Sequence, residues 1–145
     1  MFNTILVPTD GSELADKAIR AAAEFARDNN SKIVGLAVGE PFPYSALSEP
    51  AFLPDQATYE REVQVQTDMN VQKIAAAADK AGVPFQTFTV LSKDPASEII
   101  GAANKYGCDV VFMASHGRRG IDRLLLGSVT QKVLLRSTVP VLVFR

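Results

Sequence analysis

Five short runs of β-forming residues alternate with four stretches of helical period, and this alternation leaves few folds open. The runs are Thr4–Val7, Lys32–Val38, Phe85–Leu91, Asp109–Met113 and Val139–Phe144. Several are apolar at successive positions rather than at alternate ones, the pattern of strands covered on both faces. Strands of that kind separated by helices imply a parallel sheet between two helical layers, so the expected class is α/β.

The helical stretches carry their own start and stop signals. Ser12 is a good N-cap for a helix with Leu14, Ala18, Ala21, Ala22, Phe25 and Ala26 on one stripe, ended by Asp28-Asn29-Asn30. From Asp55 to Gly82, the residues Tyr59, Val63, Thr67, Val71, Ile74, Ala78 and Ala81 recur at steps of three or four and make one face. Asp94-Pro95 is an N-cap followed by proline at the first helical position, and Gly107 can close that helix in the left-handed conformation. Ser128 with Gln131 three residues on reads as a capping box for the last helix. Residues 40–57 break the pattern, with Pro41, Pro43, Pro50 and Pro54 among Phe42, Tyr44, Phe52 and Leu53. Such a segment serves as a flap, a partner contact or plain surface packing.

A sheet of this type takes its ligands at the carboxyl ends of its strands, where the strand order reverses. With the order 3-2-1-4-5, strands one and four are neighbours, and the loops that follow them are the richest in Gly, Asp and Ser. These are Pro8-Thr9-Asp10-Gly11-Ser12 and the stretch Ala114–Gly127. The second loop ends in Gly127-Ser128, at the start of a helix whose N–H groups suit an anion. Arg118 and Arg119 lie in the same loop, and their charge points to a phosphate.

The totals narrow the partners. The 145 residues are 47% hydrophobic and 21% charged with net charge −1, which argues against nucleic acid as the main partner. The single cysteine, Cys108, excludes an internal disulfide and a four-cysteine metal site, and its neighbours favour an inert core thiol. No apolar run approaches the roughly 20 residues of a membrane span, and the first residues lack a secretory pattern, so a cytoplasmic location is expected.

Four segments, VPTDGS, MASHGRRG, LLLGSVTQKVL and VPVLVF, resemble the universal stress protein family, in order and spacing along essentially the whole chain, residues 1–145. The resemblance implies a flavodoxin-like or adenine nucleotide α-hydrolase-like domain. It also implies membership of the ATP-binding branch, whose pattern is Gly, two residues, Gly, nine residues, Gly, then Ser or Thr. Here Ala114 stands at the first glycine, followed by Gly117, nine residues, Gly127 and Ser128. An added methyl at position 114 is a small loss if φ is negative and about 1 kcal/mol if φ is positive.

Carried over by position, the resemblance places Pro8, Thr9 and Asp10 at the adenosine end, with Asp10 accepting from ribose or adenine. Val38 would bond adenine through its backbone and Met113 would pack beside the nucleoside. Ala114, His116 and Gly117 would offer backbone to ribose and phosphates. Gly127, Ser128, Val129 and Thr130 would hold the terminal phosphates. The ligand implied is ATP, with ADP or AMP as alternatives, and with magnesium held through phosphates and not by side chains. A homodimer through strand 139–144 is implied, with a tetramer left open, and an apolar edge strand points the same way.

Simpler roles stand beside these: Ser128 as a helix cap, Asp10 as a brace of its turn, the two arginines as solvated charges, and His116 as a backbone or hydrogen-bonding residue. No Ser-His-Asp arrangement, GxxxxGK[ST] loop or HxGH motif is present. The expected function is therefore a nucleotide-responsive binding module in stress response, acting on an unidentified protein partner. A slow ATPase and a scaffold that binds no nucleotide are the rivals.

Overall fold

The computed structural model describes residues 1–43, 55–117 and 125–145. Strand β1 (Thr4–Thr9) leads to helix α1 (Glu13–Asn29), then β2 (Lys32–Gly39), α2 (Gln56–Ala81) and β3 (Phe85–Leu91). Helix α3 (Pro95–Lys105), β4 (Val110–Ala114), α4 (Ser128–Arg136) and β5 (Val141–Phe144) complete the order. The sheet is parallel with strand order β3-β2-β1-β4-β5, as the alternation predicts.

Alternate strand residues point to opposite faces and build two cores. On one face Ile5, Val7, Ile33 and Phe112 meet Ile19, Ala22 and Ala26 of α1 and Val71, Ile74 and Ala78 of α2. On the other, Leu6, Val34, Val111 and Met113 meet Ala96, Ile99 and Ala103 of α3 and Val133 of α4. Each large aliphatic side chain buried in this way contributes about 1.5–3 kcal/mol over leaving it in water. The alanine stripe of α1 keeps that helix close to the sheet.

Three helices start as the sequence signals. Ser12 Oγ accepts from Ala15 N, Asp55 accepts from Ala57 N, and Asp94 accepts from Ser97 N. Their ends also fit: Asn30 and Gly82 adopt left-handed backbone, as does Gly107 just after α3.

Five strand limits differ from expectation, and two of these are extensions by one residue, β2 to Gly39 and β4 to Ala114. The fourth strand begins at Val110, because the Asp109 carboxylate instead accepts the backbone amides of Asn3 and Thr4 at 2.9 and 3.2 Å. The last begins at Val141, since Ser137 and Val139 bond each other in a small turn before it. The first runs past Val7 through Pro8 to Thr9. The carbonyl of Asn3, just before β1, accepts from Lys32 of β2 and the Thr4 carbonyl accepts from Asp109 beside β4, so odd residues face β2 and even residues face β4. Pro8 therefore presents its missing N–H to β4 and keeps its place beside β2. The pairing agrees: β1 stays with β2 as far as Thr9↔Ala37 but leaves β4 after Leu6↔Val111. A crevice opens between the two central strands at that point.

Candidate functional site

The crevice is built from the two loops that the sequence marks. After β1 the chain turns sharply: Gly11 N donates to Thr9 Oγ1 (3.1 Å) and Ser12 N donates to Asp10 Oδ1 (2.9 Å), with Gly11 at φ 81°. Helix α2 braces this turn from outside. Asn70 Nδ2 donates to the Asp10 carbonyl (3.3 Å), and Lys73 Nζ donates to the Gly11 carbonyl (3.0 Å) while pairing with Asp16 (3.1 Å). Asp10 thus does brace its own turn, through one oxygen. The other oxygen, Oδ2, lies against Gly117, where any Cβ would collide with it.

After β4 the chain leaves on Ser115 and His116, whose Oγ and Nδ1 are 3.0 Å apart. It returns at Gly127, whose N–H donates to the Ser115 carbonyl at 2.7 Å. A Cβ at Gly127 would stand 3.0 Å from His116 Cα and 3.3 Å from Ser115 O, so a side chain there needs two closely approaching backbones to give by a few tenths of an ångström. Gly127 has φ −61°, so left-handed geometry adds nothing to that cost. Ala114 is not among the positive-φ residues, and its methyl carries no backbone penalty.

The capping box expected of Ser128 and Gln131 does not form. The N-cap is Gly127, no side chain caps α4, and Ser128 is the first helical residue. Gln131 Nε2 reaches back to the Leu126 carbonyl at 2.7 Å, and its backbone amide, donating to Gly127 O, is the first inside the helical ladder. The amides of Ser128, Val129 and Thr130 occupy the positions that a cap would satisfy. The Thr130 hydroxyl is spent otherwise: buried at 2% exposure, it donates to the Ala114 carbonyl at 2.9 Å and ties α4 to the end of β4.

Ten of the thirteen residues expected at the site line one cavity of about 150 Å³: Pro8, Thr9, Asp10, Val38, Met113, Ala114, His116, Gly117, Val129 and Thr130. Gly127 and Ser128 line an adjoining cavity of about 560 Å³, which also has Asp10, Val38, Gly117, Val129 and Thr130 in its wall. Arg118 lies outside the described residues, as do Arg119 and residues 44–54 of the proline-rich segment. Phe42, at the head of that segment, packs edge-on against Tyr59 of α2, with ring centroids 5.3 Å apart.

Sequence reasoning missed Ala15, Pro95 and Ile99 in the first cavity and Asn70, Lys93 and Lys132 in the second. Pro95 and Ile99 were legible only as a helix start and a core position. Asn70 was marked only by being polar on a buried face. Among the described residues, no group of three His, Cys, Asp or Glu stands close enough to hold a metal.

The first cavity is a largely apolar slot with Asp10 and the first turn of α4 in its wall. This arrangement can take a flat apolar group, offer a carboxylate acceptor to its polar edge, and present backbone donors to an anion. A slot of this kind at the switch point of a doubly wound parallel sheet is a candidate ligand site in a Rossmann-like α/β domain. The model of the universal stress protein family matches residues 1–145, and the chain belongs to that family.

It is 32% identical over 150 residues to universal stress protein YxiE of Bacillus subtilis, covering 100% of both chains. The structure of MJ0577, a universal stress protein of Methanocaldococcus jannaschii, superposes with a TM-score of 0.81 at 26% identity, covering 99% of this chain and 96% of that one. A universal stress protein solved in complex with cAMP superposes with a TM-score of 0.70 at 23% identity, covering 99% and 97%. No helix among the described residues is long and apolar enough to cross a membrane.

Proposed function

We propose that this chain binds an adenine nucleotide, ATP in the first instance and ADP or AMP as alternatives, and acts as a nucleotide-responsive binding module rather than an enzyme. The observation that carries the reading is the start of α4. Its first turn has no side-chain cap, and Val129 and Thr130 of that turn line an apolar slot that also has the Asp10 carboxylate in its wall. Adenine enters between Val38, Pro8 and Met113, with the Val38 backbone offering it a polar partner. Asp10 accepts from ribose or adenine through the oxygen that faces Gly117. Ala114, His116 and Gly117 pass the chain of bonds on to the phosphates, which Gly127, Ser128, Val129 and Thr130 receive through backbone N–H groups, aided by Arg118.

Magnesium, where present, is held by the phosphates. The relative solved with cAMP supports an adenine-bearing ligand. We read the module as cytoplasmic, and as a homodimer, or a tetramer of two dimers, through the edge strand β5. That strand has one neighbour in the sheet and leaves Leu142 47% exposed. A protein partner, not a nucleic acid or a membrane, receives the signal.

Titration calorimetry of the purified protein with magnesium ATP tests the reading. Saturable binding in the micromolar range is the expected result. No heat at millimolar nucleotide, from protein freed of bound nucleotide, leaves the dimeric scaffold as the reading; turnover of many per second overturns the binding module in favour of an ATPase.

A further inference from the structure

The two cavities share Asp10, Val38, Pro95, Gly117, Val129 and Thr130 and so form one continuous cleft, but their chemistry differs. The slot is walled mainly by apolar side chains and backbone. The larger part adds Ser128, Lys132 and Lys93, contributed by two different helix-start regions. Lys132 follows Ser128 by four residues, so it stands one turn further along the same side of α4. Lys93 lies in the loop between β3 and α3, directly before the residue that caps α3. Asp94 itself accepts from the Ser97 hydroxyl at 2.6 Å and lies 3.9 Å from Arg136, so it is engaged with its own helix and with that arginine.

From these positions we propose that Lys132 and Lys93 read the length of the phosphate chain, so that the site discriminates nucleoside triphosphates from monophosphates by charge. The inference rests on the nucleotide reading above. A single phosphate attached to a nucleoside in the slot stays beside Ala114, His116 and Gly117 and the near edge of the first turn of α4. Each additional phosphate must lie further along the cleft, where a negative charge meets two ammonium groups. Lysine suits such a role, because a compact charge on a flexible stem follows a mobile phosphate chain without needing a fixed fork of donors. Glu40 and Asp10 also line the larger cavity. They oppose a bare triphosphate and leave the lysines as the residues that offset it, with magnesium on the phosphates reducing what must be offset.

The test measures affinity for AMP, ADP and ATP by calorimetry at one ionic strength, for the native chain and for Lys132→Met, Lys93→Met and the double variant. Lys132→Arg serves as the charge-retaining control, and thermal melts without nucleotide check that each variant folds. The expected result is a loss of ATP affinity of about tenfold or more in the double variant, with AMP affinity held within about twofold. ADP should fall between them, and Lys132→Arg should restore most of the loss. Native chain that binds AMP and ATP, with an affinity ratio that the double variant leaves unchanged, overturns this inference and leaves the nucleotide site standing. Equal weakening of AMP and ATP also overturns it, since the lysines would then act on the whole site. A native chain that binds none of the three overturns the site itself.

Discussion

Replacing Thr130 by valine separates two roles that a threonine in the first turn of α4 can play. The family resemblance gives its hydroxyl to the phosphates; the structure gives it to the Ala114 carbonyl at 2.9 Å. The geometry explains why. Ala114 ends β4, and β1 has already left β4 behind Leu6, with Pro8 unable to donate on that side. The carbonyl at the end of β4 therefore takes its hydrogen from α4 instead of from a strand. Valine matches threonine in shape, so the substitution deletes a hydrogen bond at a residue only 2% exposed and creates no cavity. A buried acceptor left without a donor costs about 1–3 kcal/mol, less a few tenths for the gained methyl. At roughly 4 °C per kcal/mol for a chain of this size, the melting temperature should fall by about 4–10 °C.

Thermal and urea denaturation of nucleotide-free protein measures this directly, because bound ligand would otherwise mask the change. Thr130→Ser, which keeps the hydroxyl, should recover most of the loss. Nucleotide affinity of folded Thr130→Val should stay within about threefold of native, since the backbone amide at 130 is unchanged. The opposite outcome, an unchanged melting temperature with affinity reduced more than tenfold, would show that the hydroxyl serves the ligand and that the latch to Ala114 is wrong.

Other substitutions test other parts of the structure. Gly127→Ala puts a methyl 3.0 Å from the His116 Cα, so two backbones must part; overpacking of this kind costs about 1–3 kcal/mol, and calorimetry should show nucleotide binding weakened at least tenfold. Leu142→Lys places a charge on the exposed edge of β5, and analytical ultracentrifugation should show the proposed dimer for the native chain and monomer for the variant; a dimer that persists moves the interface elsewhere. Burial raises the Cys108 thiol from 9.0 to about 11, so iodoacetamide should label it at neutral pH only after urea unfolding. The unfolded thiol ionises first as pH rises. The stability due to its protonated form is therefore whole below pH 9 and declines between 9 and about 11, which urea midpoints across that range would register.

The parts of this fold that were legible in the sequence are those governed by local chemistry. Apolar runs without alternation announced β1, β2 and β4 as strands buried on both faces, though the same pattern in β5 lies half exposed at the edge. Ser12 and Asp94 announced two helix starts because a side-chain oxygen next to free amides acts within one turn. The fourth helix defeated the same reasoning. Ser128 and Gln131 have the spacing of a capping box, but the chain reaching them is held by the bond from Gly127 N to Ser115 O, a contact across the loop that no local pattern encodes. That bond moves the cap position back to a glycine with no side chain to offer.

The site residues were legible as types at given positions: glycines where backbones crowd, an aspartate after β1, a serine at a helix start. The place of the opening, at the carboxyl ends of strands one and four, was legible from the strand order; its extent was not. It depends on which neighbour Pro8 faces, and that is fixed by the register of β1 against two strands distant in sequence. Pro8 reads from sequence as the end of a strand. In the sheet it remains a strand residue on the β2 side and a missing donor on the β4 side, and this asymmetry parts the central strands at their carboxyl ends. It follows that Pro8→Ala, which restores a donor toward β4, should be tolerated by the fold yet let β1 and β4 pair further and narrow the slot. Hydrogen exchange would show a newly protected amide at position 8, and calorimetry a weaker nucleotide site; an amide at position 8 that exchanges as freely as a loop residue would refute this account of how the crevice arises.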